Sequence, residues 1–188
     1  MTAATLLRAA RRAAGVNQSQ LALRASTTQP RISALENGVN TPTVDSLDRL
    51  LRSLGSRLLV VPTIRSGASE AASIIHDSLE SNDIATAFRA LIQYSDNLVA
   101  EVGANRLALA LTVAEHTGDA AWDAALAGVT EYRLNQARIP SPDWVEGVRA
   151  AKPTVVSGSR RTRSVDPADV PTELRSRDVL IEAATLES

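Results

Sequence analysis

The sequence predicts a mainly α-helical protein, with a basic head of four to five short helices, a short strand or extended connector, and a helical body ending in a flexible arm. Three observations predict it. Apolar residues recur at three- and four-residue spacing, the periodic runs stop at glycine or begin at polar capping residues, and charge is segregated along the chain. Of the 188 residues 44% are apolar, enough for one medium domain or two small ones. Residues 1–66 carry nine arginines against three acidic residues, a net +6, whereas 67–150 carry five against twelve, a net −7. Residues 151–188 balance at six and six. The expected organisation is therefore a basic head (1–66), an acidic helical body for oligomerisation or partner binding (67–150), and an arm and tail (151–188) that folds on a partner. Only the head should be drawn to a polyanion.

The first helix runs from Ala3 to Ala14, capped by Thr2 and stopped by Gly15, with Leu6, Leu7, Ala10 and Ala13 on its buried stripe. Asn17 and Gln20 have the spacing of a capping box for a second helix carrying Leu21, Ala22 and Ala25. A connection from Ser26 to Gln29 leads to a third helix ending near Asn37, with Thr28 as its cap and Pro30 in the first turn, where a missing N–H costs little. Ile32 and Leu35 point inward, and Gly38 suits a left-handed exit. A fourth helix bears Val44, Leu47, Leu50, Leu51 and Leu54 and closes at Gly55. The β-branched run Leu58 to Val61, ended by Pro62, reads as a strand or connector. Further helices are expected at Ser69–Glu80, Asp83–Val102 with Asn82 as cap, Ala104–His116 and Asp119–Ala137, the last with Trp122, Leu126, Val129 and Tyr132 or Arg133 on one side. Lys152 to Val170 lacks an apolar period and is expected to be flexible.

Several function classes are disfavoured. Without cysteine there is no disulfide, thiol nucleophile or thiolate metal site, and His76 and His116 lack zinc-ligand spacing. The acidic pairs Asp119 with Asp123 and Glu80 with Asp83 have no nucleophile or phosphate loop beside them, so they read as solvated faces and not as an enzyme's carboxylates. No cofactor and no catalytic residue is expected. No run approaches the ~20 apolar residues that span a bilayer, and no signal-peptide pattern opens the chain, so a cytoplasmic protein with no membrane contact is expected.

The stretch Gly15-Val-Asn-Gln-Ser-Gln-Leu-Ala22, with Ser26-Thr-Thr-Gln-Pro-Arg-Ile-Ser-Ala-Leu-Glu-Asn-Gly38, Pro42, Leu47 and Leu50-Leu-Arg-Ser-Leu-Gly55, resembles the Cro/repressor, or Xre-type, helix-turn-helix family over about the first 55 residues. That resemblance implies a lambda-repressor-like domain whose third helix enters the major groove of double-stranded DNA, since the ~12 Å groove accepts one helix. It implies base contacts from Gln29, Pro30, Arg31, Ser33 and Ala34, with Gln29 foremost because glutamine can bond adenine at two points. It implies phosphate contacts from Gln18, Thr28, Asn37 and Gly38, and a partly buried structural ion pair between Arg11 and Glu36. A palindromic operator bound by a homodimer follows, with half-sites ~34 Å apart or a multiple of that.

More loosely, Thr117-Gly-Asp-Ala-Ala-Trp-Asp-Ala-Ala-Leu-Ala-Gly-Val-Thr-Glu-Tyr-Arg-Leu134, Ile139-Pro-Ser-Pro-Asp-Trp-Val145 and Glu173-Leu-Arg-Ser-Arg-Asp-Val-Leu-Ile181 resemble the bodies of Xre-type antitoxins paired with nucleotidyltransferase-like toxins. That resemblance implies an autorepressing antitoxin that binds its toxin directly, with Arg160, Arg161, Arg163, Leu180 and Ile181 as toxin contacts. The alternative is a ligand-responsive transcriptional regulator of the same family, its helical body holding a small effector.

Overall fold

Every helix of the head ends in the same way, and that repetition sets the path of the chain. In the computed structural model, which describes residues 2–58, 60–112, 116–159 and 164–187, the chain divides into unit 1 (Met1–Val61) and unit 2 (Pro62–Ser188). Unit 1 holds α1 (Ala3–Ala13), α2 (Gln18–Arg24), α3 (Gln29–Glu36) and α4 (Val44–Ser53). Gly15, Ser26, Gly38 and Gly55 follow the four caps in turn, each with positive φ. In each case its N–H, and that of the next residue, returns to carbonyls of the last turn, so the orphan carbonyls are satisfied and the chain turns back sharply. At α3 the bonds are Gly38 N–H to Leu35 O at 3.2 Å and Val39 N–H to Ala34 O at 3.0 Å. Gly38 has φ +71°, and an added Cβ would meet nothing within 4 Å. Gly38→Ala is therefore expected to show backbone strain alone, a loss of about 1–2 kcal/mol in denaturant unfolding of unit 1. No loss would mean that the turn can relax.

The starts of the helices follow the capping chemistry of the sequence. Thr2 and Thr43 accept backbone N–H bonds from Thr5 and Ser46, both at 3.2 Å, and Asn17 with Gln20 forms a complete capping box at 2.8 Å in each direction. Thr28 precedes α3 with extended backbone but without a side-chain cap bond. Leu7, Val16, Leu21, Ile32, Leu35, Leu47, Leu50, Leu51 and Leu54 make the core of unit 1. Two expected core positions differ. Val44, the first residue of α4, is 68% exposed because the helix has not yet turned inward there, and Ala13 at the end of α1 is exposed. The 58–61 run is a connector: none of its described residues lies in a strand.

Unit 2 is built around one helix. It contains α5 (Ala68–Glu80), α6 (Ile84–Ala100), α7 (Gly103–Leu111) and α8 (Ala120–Gln136), then β1 (Thr154–Val155), α9 (Thr172–Arg175), β2 (Val179–Leu180) and α10 (Ala183–Leu186). α8 is buried on all sides, from Trp122 through Ala124 to Thr130 and on to Arg133 and Leu134, as a helix central to a domain must be. Its small residues allow close approach: a Cβ on Gly128 would lie 2.6 Å from Leu174 Cδ2. Asn82 caps no helix start, as Asp83 does that for α6. Asn82 instead takes φ +60° at the exit of α5, a conformation asparagine tolerates better than most residues.

The tail also departs from the expected flexible arm. Thr154 and Val155 pair in parallel with Val179 and Leu180, and Val156, Val170, Leu174, Val179, Ile181 and Leu186 are buried in the same core as α5, α6 and α8. Arg177 holds this segment down with a 2.6 Å ion pair to Glu131 and a 2.9 Å bond to the Val145 carbonyl. Residues 160–163, which include Arg160, Arg161 and Arg163, lie outside the described residues. No helix among those described is long and apolar enough to cross a membrane. Among them no group of three or more His, Asp or Glu could hold a metal ion.

Candidate nucleic-acid interface

Three residues of α3 at helical spacing, Ile32, Leu35 and Glu36, turn inward, and the first two fill the core of unit 1. The third is a carboxylate, only 1% exposed, and burying a charge is costly unless it is paired. Arg11 of α1 supplies the pair as a two-pronged fork, with Nε to Glu36 Oε1 at 2.6 Å and Nη2 to Oε2 at 2.8 Å, while Nη1 bonds the Val16 carbonyl at 2.9 Å. Arg8 adds a bond to the Glu36 backbone carbonyl. Burial alone would raise the Glu36 carboxyl, but the bonds from Arg11 and Gln18 and the nearby guanidinium charges outweigh it, so it stays below the ordinary glutamate range. The same bond raises Arg11. This ties α1 to α3.

The network continues outward. Gln18, at the start of α2, donates from Nε2 to Glu36 Oε2 at 2.9 Å, and Gln29, the first residue of α3, donates from Nε2 to Gln18 Oε1 at 2.9 Å. A buried carboxylate is thus linked through one amide to the exposed leading end of α3. Gln29, Pro30 and Arg31 are exposed there, and Ser33 and Ala34 are half-buried further along. Thr28 lies exposed before α3, and Asn37 and Gly38 are exposed after it. Asn37 Nδ2 reaches Ser33 Oγ at 3.4 Å. Gln18, expected to meet a phosphate, has its amide engaged on both sides by protein.

Beside α3 runs an open groove of about 760 Å³ whose walls include Arg24, Arg31, Arg49, Thr27, Thr43 and Ser46. Sequence reasoning did not single out Arg24 or Arg49, since each is an ordinary surface arginine until α2 and α4 bring it next to Arg31. The only signal was the net +6 of the segment. Unit 1 contains no aromatic residue, so any base contact it makes is polar or aliphatic.

An exposed polar helix end, braced from within by a buried ion pair and flanked by a cationic groove, defines a helix-turn-helix DNA-binding domain. Residues 7–60 match the helix-turn-helix family, of the Xre type, whose members bind DNA. The match lies within unit 1, and it is that unit that has the character of a DNA-binding helix-turn-helix domain. No curated protein and no solved structure matches the chain.

Proposed function

We infer that this protein regulates transcription by reading a palindromic operator as a dimer, with Gln29 as the chief base contact and Pro30, Arg31, Ser33 and Ala34 beside it. The observation that carries this reading is the exposure of the α3 leading end together with its amide brace to Gln18. Arg31 offers a fork to a guanine edge, and Pro30 and Ala34 offer apolar contact to a thymine methyl. Thr28, Asn37 and Gly38, exposed at the two ends of α3, and Arg24 and Arg49, which line the groove beside it, are the phosphate contacts in this reading, fixing register without carrying sequence information. The test is selection of duplexes from a randomised pool by the full-length protein, then titration of variants. Gln29→Ala is expected to weaken binding to the selected duplex by about 1–3 kcal/mol and to leave random duplex unchanged. Equal losses on both would remove Gln29 from the reader.

For unit 2 the reading that its charge supports is an antitoxin body. Residues 62–188 carry eighteen acidic against twelve basic residues, a net −6, which suits a partner with a basic groove, such as a nucleotidyltransferase-like toxin, better than it suits DNA. The contact surface is then acidic, with exposed carboxylates such as Asp77, Glu80 and Asp119. Ile181 is buried in the core of unit 2, which argues against it as one of the toxin contacts the resemblance implied, while Leu180 is half-buried against that core. A protein encoded beside this one should form a complex with it and lose its toxicity on doing so. An inert mixture, with thermal stabilisation by a small metabolite instead, would favour a ligand-responsive regulator.

A further inference from the structure

A carboxylate can only accept hydrogen bonds, and this has a consequence at the far end of the Arg11–Glu36–Gln18–Gln29 chain. With both Glu36 oxygens facing Arg11 and Oε2 also facing Gln18, the Gln18 amide can meet the carboxylate only through its NH₂ group. Its carbonyl then points away and can meet Gln29 only through a donor, as the 2.9 Å Gln29 Nε2 to Gln18 Oε1 bond shows. Gln29 is left facing outward with a carbonyl oxygen and one N–H, an acceptor beside a donor. Reversing the chain would place the Gln18 carbonyl against the carboxylate and engage the Gln29 carbonyl internally, leaving two N–H donors outward.

These two arrangements read different purines. Adenine presents an acceptor at N7 and a donor at N6 in the major groove, whereas guanine presents acceptors at both N7 and O6. We propose that the buried carboxylate of Glu36 is a specificity-determining residue: it fixes the sense of the two glutamine amides and thereby selects adenine over guanine at the base beneath Gln29. This rests on α3 being the reader. Glu36 touches no DNA in this scheme and acts as a positioning residue through Gln18. Its lowered carboxyl pKa keeps the anchor acceptor-only at neutral pH.

The test uses the full-length protein and duplexes selected from a randomised pool. The relevant base pair is the one whose preference disappears in Gln29→Ala, and there the wild type should favour adenine over guanine by at least about fivefold. In Glu36→Gln the anchor becomes an amide that can also donate, so Gln18 can turn over and the preference should narrow below about twofold or invert, in protein verified as folded by circular dichroism. Gln18→Met cuts the link while keeping the Arg11–Glu36 pair, so it should narrow the same ratio in protein verified as folded, and it decides the matter if Glu36→Gln does not fold. An unchanged ratio in the folded variants, or a wild-type preference for guanine or a pyrimidine, overturns the proposal. If Gln29→Ala flattens no position, the assignment of α3 as reader fails with it, a result separable from a readable position that ignores Glu36.

Discussion

Replacing Glu36 with alanine is expected to destabilise unit 1 by about 3–5 kcal/mol, because it leaves the Arg11 guanidinium, 13% exposed, without a counter-charge. Gln18 loses its acceptor in the same step. Domains of ~60 residues bury a smaller fraction of their surface than larger ones do and are marginal, so a loss of this size removes most of the folding free energy. Unit 1 has no aromatic residue, so the measurement is helical circular dichroism in a urea titration. A loss below about 1 kcal/mol would mean that Arg11 swings into water and that the pair is peripheral. The pH dependence has a definite sign. The folded carboxyl is lowered from the ordinary value of 4.5, so its contribution is fully present above that pH and is lost as pH falls through the folded value. Wild-type unit 1 should therefore weaken in acid below about pH 4.5, and Glu36→Gln should lack that part of the acid sensitivity.

Leu174→Ala is expected to cost unit 2 about 2–5 kcal/mol, the range for removing a fully buried leucine side chain from a core that cannot collapse around the gap. Leu174 lies against Gly128 of the central helix, where no side chain intervenes. Both tryptophans, Trp122 and Trp144, belong to unit 2, so their fluorescence in urea follows this unit. The outcome bears on how the molecule is organised. A large loss means that the tail from residue 151 onward is part of the domain, whereas a loss of a few tenths of a kcal/mol would restore the view of the tail as an arm that orders only on a partner.

The helices were legible wherever one face is apolar and the other polar. Leu47, Leu50, Leu51 and Leu54 announce α4 by spacing, and Asn17 with Gln20 announces the start of α2 by chemistry. α8 was legible as a helix but not as the centre of unit 2. Its alanines and Gly128 contribute little to an apolar stripe, yet their small size lets neighbours approach from every side. The burial of the tail escapes sequence periodicity for a related reason. Val170, Leu174, Val179, Ile181 and Leu186 sit on two short helices, a two-residue strand and the turns between, so no single period runs through them, and only docking against α8 and α6 buries them. At the candidate site, the Arg11–Glu36 pair that the resemblance implied is present, and Gln29, Pro30 and Arg31 are exposed at the start of α3. The Gln18–Gln29 link was not legible in the sequence, since two polar surface residues eleven apart carry no pattern until α2 and α3 cross.

The most direct measurement is a titration of the full-length protein, at moderate salt, with its selected duplex and with a scrambled duplex of equal length and composition. Phosphate contacts act on both alike, so the difference isolates what α3 reads. An exposed, internally braced Gln29 predicts at least about a thousandfold tighter binding to the selected duplex. Equal affinity for the two, falling together as salt rises, would show a basic surface that holds DNA without reading it.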